Sequence, residues 1–381
     1  MKRDVYFYAA ALLMDTCAGI VLLGIPLLAH RLGASVVQLG YIGTLGGAFY
    51  SAVCPLAGRL GDHLGRKHTI LIGNALFGAT YLIMTQVHHL RFVFVLVPFG
   101  WAGAALFWPS VQAWVSEGKD RETLMRSLRG FNVAWSMGLI VGPVIGGWLY
   151  EMDPYRPFYV GVGLISILAL WTLLVSPREG QRPDPRAVIE IRPEQISRGQ
   201  TFLRMAWVAN FVAWFIASIV RNIFPKLAVA LNIPPGVLGR LIGLLAMAQM
   251  VGFLWIHRSD RWPYRIAPLV AFQSLAAIGS IIVYLSSSIY LFGIAFALFG
   301  LSMAMTYSSS LFYSVYAEQR KGTKTGLHEG ILGSGGVFGA LLGGLVAGVF
   351  GLKAPYALCL LMALIGITVQ WRLYVRSTPT G

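Results

Sequence analysis

Acidic residues are scarce in this chain. Asp and Glu number 15 against 30 Lys and Arg in 381 residues, and charged residues of both signs make up only 12%. A soluble domain carries about 25%, so an ordinary water-facing surface is excluded. Cysteine is scarcer still: Cys17, Cys54 and Cys359 each fall inside an apolar run. That excludes a disulfide framework and a cysteine metal site, and leaves small buried hydrophobes. A phosphate-binding loop is missing too. Gly61–Thr69 contains Gly and Lys but lacks the required spacing and the following Ser or Thr. No metal cluster and no nucleophile–base pair occurs at usable spacing, which argues against an enzyme. The net charge of +15 would suit a nucleic-acid binder. Its distribution excludes one, because the bases lie in short loops between apolar runs and form no single face.

What is present is apolar length. The chain is 56% hydrophobic with 44 glycines and 21 phenylalanines, as in membrane bundles where glycine lets helices approach closely. Twelve runs are long enough to cross a bilayer, at 5–29, 36–57, 69–87, 92–115, 130–150, 157–175, 203–227, 237–257, 265–286, 289–315, 327–350 and 355–374. Lys2 and Arg3 precede the first run, which is too long for a signal peptide and reads as a transmembrane helix. Twelve is even, so both termini lie on one side. With the N-terminus inside, the inner segments hold about 23 bases and the outer ones about 6. The expected protein is therefore a multi-pass protein of the inner (plasma) membrane with both termini cytoplasmic. Its fold class is all-α integral membrane.

The chain also repeats. Ile20-Val21 corresponds to Ile219-Val220, Pro26 to Pro225, Leu32 to Leu231 and Leu39-Gly40 to Leu238-Gly239, at one constant offset. Gly138, Gly142, Gly146 and Gly147 correspond to Gly335, Gly339, Gly343 and Gly344. Residues 177–200 carry Pro177, Pro183, Pro185 and Pro193 among mixed charges, and read as a cytoplasmic linker. A short amphipathic helix is expected near Ala187–Ile196. The expectation is two pseudo-symmetric six-helix bundles, 1–176 and 201–381. Parallel repeats of this kind are a transporter architecture.

Between the second and third runs lies Gly58-Arg-Leu-Gly-Asp-His-Leu-Gly-Arg-Lys67. It is expected to form a tight hairpin. Gly58 and Gly61 would allow close helix approach, and Asp62 would accept hydrogen bonds from Arg66 or from a helix N-terminus. A plain solvated turn is the competing reading. Gly58, Asp62, Gly65, Arg66 and Lys67 resemble the signature loop of the major facilitator superfamily. His63 stands where that family usually has Arg. A worn copy follows in the second half at Arg258-Ser-Asp-Arg261. The resemblance implies twelve helices in two halves, with helices one, four, seven and ten lining a central cavity. The fifth run carries Gly138, Gly142, Pro143, Gly146 and Gly147, which resemble the fifth-helix motif of proton-linked drug exporters in that superfamily. A generic small-residue packing seam is the alternative. The buried Arg that the family often carries on its fourth helix is missing from Leu96–Ala104.

Ionisable groups at membrane depth are costly and point to function. Asp15 lies mid-way in the first run and Arg221 in the outer half of the seventh. The repeat puts Arg221 at the position of Leu22, two helical turns from Asp15 on one face. Asp15 is expected to carry a proton or meet a cationic substrate. Arg221 would be a fixed counter-charge or an anion anchor. A structural polar pair is the competing reading. Glu329 and His328 begin the eleventh run. Glu329 is expected to pair with Arg59 or Arg66 at an inner gate, or simply to cap its helix. The expected cavity runs are aromatic: Phe107, Trp108 and Trp114 with Gln112; Trp207, Phe211, Trp214 and Phe215 with Asn210; Tyr307, Phe312, Tyr313 and Tyr316. Such a lining suits amphipathic ligands, though fewer than half of these rings should line a cavity.

The reading is a monomeric secondary transporter that works by alternating access. Its partners are a small-molecule substrate, protons and the lipid bilayer, with no cofactor and no nucleic acid. Export of a small amphipathic compound in exchange for protons is preferred. The rivals are import or facilitated passage of an organic anion anchored by Arg221, and a lipid flippase or a non-transporting sensor on the same fold.

Overall fold

The computed structural model describes residues 2–116, 121–174, 193–256, 262–316 and 321–377. Among them are thirteen α-helices and no strand. Twelve are long: α1 (Lys2–Arg31), α2 (Val36–Leu64), α3 (Arg66–Met84), α4 (Leu90–Ser116), α5 (Arg121–Met152), α6 (Arg156–Leu174), α7 (Pro193–Asn222), α9 (Pro235–Ile256), α10 (Ile266–Leu285), α11 (Ile289–Tyr316), α12 (Lys321–Phe350) and α13 (Ala354–Ser377). The short α8 (Phe224–Ala230) follows a break at Ile223 and completes the span begun by α7. In lipid every backbone group must be satisfied within the chain, and the helix does this alone. Pro26, Pro55, Pro98, Pro109 and Pro143 are carried inside helices.

Eleven spans among the described residues are long and apolar enough to cross a membrane. The exception among the twelve expected is α3. It has 19 residues and spends its first turn on Arg66, Lys67 and His68, so its apolar part is one turn short. Most of the expected linker lies outside the described residues, and from Pro193 onward it already belongs to α7. The expected amphipathic helix at 187–196 therefore falls partly outside the described residues and partly in α7. The copy of the signature loop at 258–261 also lies outside them.

Two compact units emerge. One comprises 1–35, 45–185 and 232–243; the other comprises 36–44, 186–231 and 244–381. The boundaries cut α2 and α9 near their N-terminal ends. In the first unit α1 packs on α5, α6 and α4, and α3 packs on α4 and α6. In the second, α7 packs on α12, α13 and α11, and α10 packs on α11 and α13. The two patterns are identical under the repeat.

The repeat extends to single residues. Gly33 after α1 has φ 88, and Asn232, 199 positions later, has φ 55. Gly65 between α2 and α3 has φ 88, and Tyr264, again 199 positions later, has φ 58. Gly adopts this left-handed region freely, whereas a bulky side chain there is strained.

A buried amide pair ties the second unit together. Gln370 donates to the Gln273 carbonyl oxygen and to Gly366 O at 3.0 Å, joining α13 to α10. In the first unit a different pair of helices is tied, α1 to α6, where the Tyr6 and Thr172 hydroxyls lie 2.9 Å apart.

Candidate functional site

The signature segment is more helical than expected. α2 continues to Leu64 and α3 starts at Arg66, so Gly65 alone breaks the helix. Its φ of 88 makes the reversal, and its carbonyl accepts the Thr69 hydroxyl at 3.2 Å. Gly58 does not serve close approach, because a β-carbon there would meet nothing within 4 Å. Its carbonyl instead accepts Arg66 Nη1 at 3.3 Å. Gly61 makes room for that side chain, since a β-carbon would sit 2.6 Å from Arg66 Nη1. Lys67 Nζ donates to Leu173 O at 2.8 Å and anchors the end of α6. Arg59 is exposed. The side chains of Asp62 and Glu329 lie outside the described residues, and so does that of Tyr316; the gate pairing expected for Glu329 falls there with them.

The fifth-helix glycines form a seam on α1. A β-carbon at Gly138 would sit 2.7 Å from Leu12 O and 2.8 Å from Asp15 Cβ; at Gly142, 2.6 Å from Thr16 O; at Gly146, 2.8 Å from Ile20 O. A β-carbon at Gly19 would sit 2.7 Å from Pro143 Cδ. Gly147 faces elsewhere, toward Pro235 and Gly236. There Glu151 Oε1 accepts the Gly236 amide at 2.7 Å and caps α9. The second unit repeats the seam without the proline: Gly335 meets Phe211 and Trp214, Gly339 meets Phe215, and Gly343 meets Ile219.

This register carries a relation that the sequence reading missed. Asp15 faces Gly138, and its counterpart 199 positions on is Trp214, which faces Gly335. One fold position thus holds a carboxylate in one unit and an indole in the other. Asp15 is only 7% exposed. Trp214 carries the Arg221 guanidinium over its ring, 5.3 Å from the centroid. Such a cation–π contact is worth about 0.5–2 kcal/mol, more when desolvated. Beside Arg221, Asn222 Nδ2 donates to Ser218 O at 2.9 Å, and Ser218 Oγ donates to Gly336 O at 2.6 Å. The C-terminal half of α7 is therefore a polar ladder pinned to α12. Extending the 199 offset from Pro26 and Pro225 back to position 15 would have found the Asp15–Trp214 relation.

A second group was only half legible. His328 on α12 is 1% exposed, and its Nδ1 lies 2.7 Å from Ser310 Oγ on α11. Its Nε2 is buried with no hydrogen-bond partner among the described residues. Tyr307 meets the imidazole edge-on at 5.2 Å and packs against Phe253. His328 lies inside α12, at the start of its apolar run. Ser310 gave no sequence signal, being one of three consecutive serines at 308–310.

The remaining expected residues part company. Trp108 is half-buried and packs edge-on against Phe107 and Phe131. Phe107, Trp114, Phe215 and Tyr313 are buried. Gln112 is exposed. Asn210 is fully buried, and neither amide atom has a hydrogen-bond partner among the described residues. Asn74 on α3, unremarked in the sequence, is in the same state.

Family comparison agrees with this architecture. The Major Facilitator Superfamily profile matches residues 7–309 and 206–381. The chain belongs to the Major Facilitator Superfamily. It is 24% identical over 370 residues to Multidrug resistance protein 1 of Bacillus subtilis (strain 168), covering 93% of this chain and 92% of that protein. It is 21% identical over 386 residues to Quinolone resistance protein NorA of Staphylococcus aureus (strain MRSA252), covering 97% and 96%. Among solved structures, a bacterial homologue of the human lysosomal transporter Spinster, inward-facing and unoccupied, superposes with TM-score 0.77 at 14% identity, over 99% of this chain and 98% of that one. The nucleoside transporter NupG superposes with TM-score 0.69 at 13% identity, over 98% and 99%. The fold is therefore that of a twelve-helix superfamily transporter, and the protein is a multi-pass membrane transporter, not an enzyme.

Proposed function

We propose that this protein is a proton-coupled exporter of small amphipathic compounds, working by alternating access as a monomer. The observation that carries this is the pair of relatives named for multidrug and quinolone resistance, each aligned over more than nine-tenths of both chains. Supporting it, Asp15 is a buried carboxylate in a seam of backbone contacts, where a shift of α1 against α5 changes its solvation. A carboxylate moved between a dry and a wet setting takes up and releases a proton. With no nucleotide-binding loop in the sequence, the ion gradient is the energy source and no cofactor is needed. The excess of bases between apolar runs favours a cytoplasmic location for both termini.

The test is efflux from cells loaded with a fluorescent lipophilic cation. Efflux should be abolished by a protonophore and lost in Asp15→Asn. Efflux that survives the protonophore would overturn proton coupling.

A second reading has one observation in its favour. Arg221 stacked on Trp214 is an arrangement suited to a planar organic anion. If Arg221→Ala weakens substrate affinity for anions while Asp15→Asn leaves ion coupling intact, anion transport is the better account.

A further inference from the structure

His328 leaves half of its imidazole unused. Its Nδ1 lies 2.7 Å from Ser310 Oγ, while its Nε2 is buried with no hydrogen-bond partner among the described residues. The first atom decides what the second one is. Ser310 Oγ has no other partner among the described residues. If its hydroxyl donates to Nδ1, one hydrogen satisfies both groups. In the opposite direction the serine proton and a bare Nε2 would both be stranded. With Ser310 donating, Nε2 carries the ring hydrogen, and the protein holds an unspent N–H donor at a residue only 1% exposed. An unpaired donor buried at membrane depth is costly.

The fold does not require that cost, because the first unit avoids it. Gly138 and Gly335 are equivalent in the seam. His328, seven residues before Gly335, therefore stands where Phe131 stands before Gly138. Seven residues are two helical turns, so both side chains lie on the seam face of their helix. The offset of 199 carries the start of α4, Leu90, onto the start of α11, Ile289. It pairs Trp108 with Tyr307 and Val111 with Ser310. The contacts agree with this register: Trp108 meets Phe131 edge-on at 6.1 Å, and Tyr307 meets His328 edge-on at 5.2 Å. A buried valine and a buried phenylalanine thus fill in the first unit the places that serine and histidine take in the second. Packing alone does not account for the imidazole.

We propose that His328 Nε2–H is a contact for the polar end of the transported compound, and that it selects compounds carrying a hydrogen-bond acceptor such as a carbonyl oxygen. The site rests on the export function proposed above, since the donor is covered in this structure and meets a compound only when α12 parts from α11. Tyr307 lies against the imidazole and is backed by Phe253 at 5.9 Å, an aromatic wall for the apolar body of the compound. An acceptor satisfies the N–H that the closed packing leaves unpaired. A compound of the same shape without one does not, and that difference is a source of selectivity.

The test is equilibrium binding to the full-length protein in detergent, with two probes of one shape. They are (4-oxopentyl)triphenylphosphonium and (4-methylpentyl)triphenylphosphonium, in which a methyl group replaces the carbonyl oxygen. His328→Phe installs the residue that the first unit carries. It should weaken binding of the ketone about tenfold and leave the alkyl probe within about twofold. His328→Gln, whose amide N–H stands near the place of Nε2, should keep most of the ketone affinity. Should His328→Phe not fold, His328→Leu reads the same loss. Unchanged ketone binding in these apolar variants would overturn the proposal. So would an equal loss for both probes, which is what a purely structural histidine predicts. If wild type binds neither probe, the export of lipophilic compounds fails and this site with it. If wild type binds both and the apolar variants change neither, this site alone fails.

Discussion

Gly142→Ala is the substitution through which the α1–α5 seam can be tested most sharply. The added β-carbon would fall 2.6 Å from Thr16 O, 2.9 Å from Gly19 Cα and 3.2 Å from Asp15 O. All three are backbone atoms, so no side chain can swing away and the helices must separate by several tenths of an ångström. Overpacking of this kind costs about 1–3 kcal/mol. The comparison is Gly58→Ala, where nothing lies within 4 Å and the residue is inside a helix. There the substitution should gain about 0.5–1 kcal/mol from reduced backbone freedom. Thermal unfolding of the two purified variants in one detergent, followed by loss of the monodisperse peak, reads the order directly. Gly142→Ala should melt below wild type and Gly58→Ala at or above it. Gly339→Ala, whose β-carbon would run into the Phe215 carbonyl, should behave like Gly142→Ala. If Gly142→Ala is as stable as Gly58→Ala, the backbone approach described here is wrong.

Other expectations follow from the polar contacts. Gln273→Leu alone removes one of the two acceptors of the Gln370 amide and should destabilise the protein. An interhelical hydrogen bond in a membrane averages about 0.6 kcal/mol and reaches about 1.7, and Gln273→Leu/Gln370→Leu should recover part of that loss. Tyr313→Phe removes the acceptor of the Tyr264 amide and should cost about 1–3 kcal/mol, again measured by unfolding.

Much of the fold was legible because hydropathy and basic loops are physical requirements of the bilayer, not of one protein. The repeat was legible for a similar reason. Gly142 and Gly339, for example, occupy positions where a β-carbon would strike the backbone of the neighbouring helix. What was hidden depends on local geometry. The decapeptide from Gly58 reads as a loop because its charges and glycines outweigh helix propensity, yet α2 runs on to Leu64 and one left-handed glycine suffices. Tyr264 could not be read as left-handed, because its tolerance comes from Tyr313, 49 residues away. The Ser310–His328 contact has the same origin, a pairing across two helices. Asp15 and Arg221 stand out in the sequence as ionisable groups at membrane depth; the fold buries the first and half-buries the second. The indole under Arg221 reads in the sequence only as a cavity aromatic.

The proposed export mechanism rests most directly on proton movement through Asp15. The decisive measurement is substrate-dependent proton flux in proteoliposomes, wild type against Asp15→Asn, with a panel of lipophilic cations and organic anions. Flux that appears only with substrate, and vanishes in Asp15→Asn while the variant stays folded, is the predicted result. Transport without proton flux, unchanged in Asp15→Asn, would contradict it.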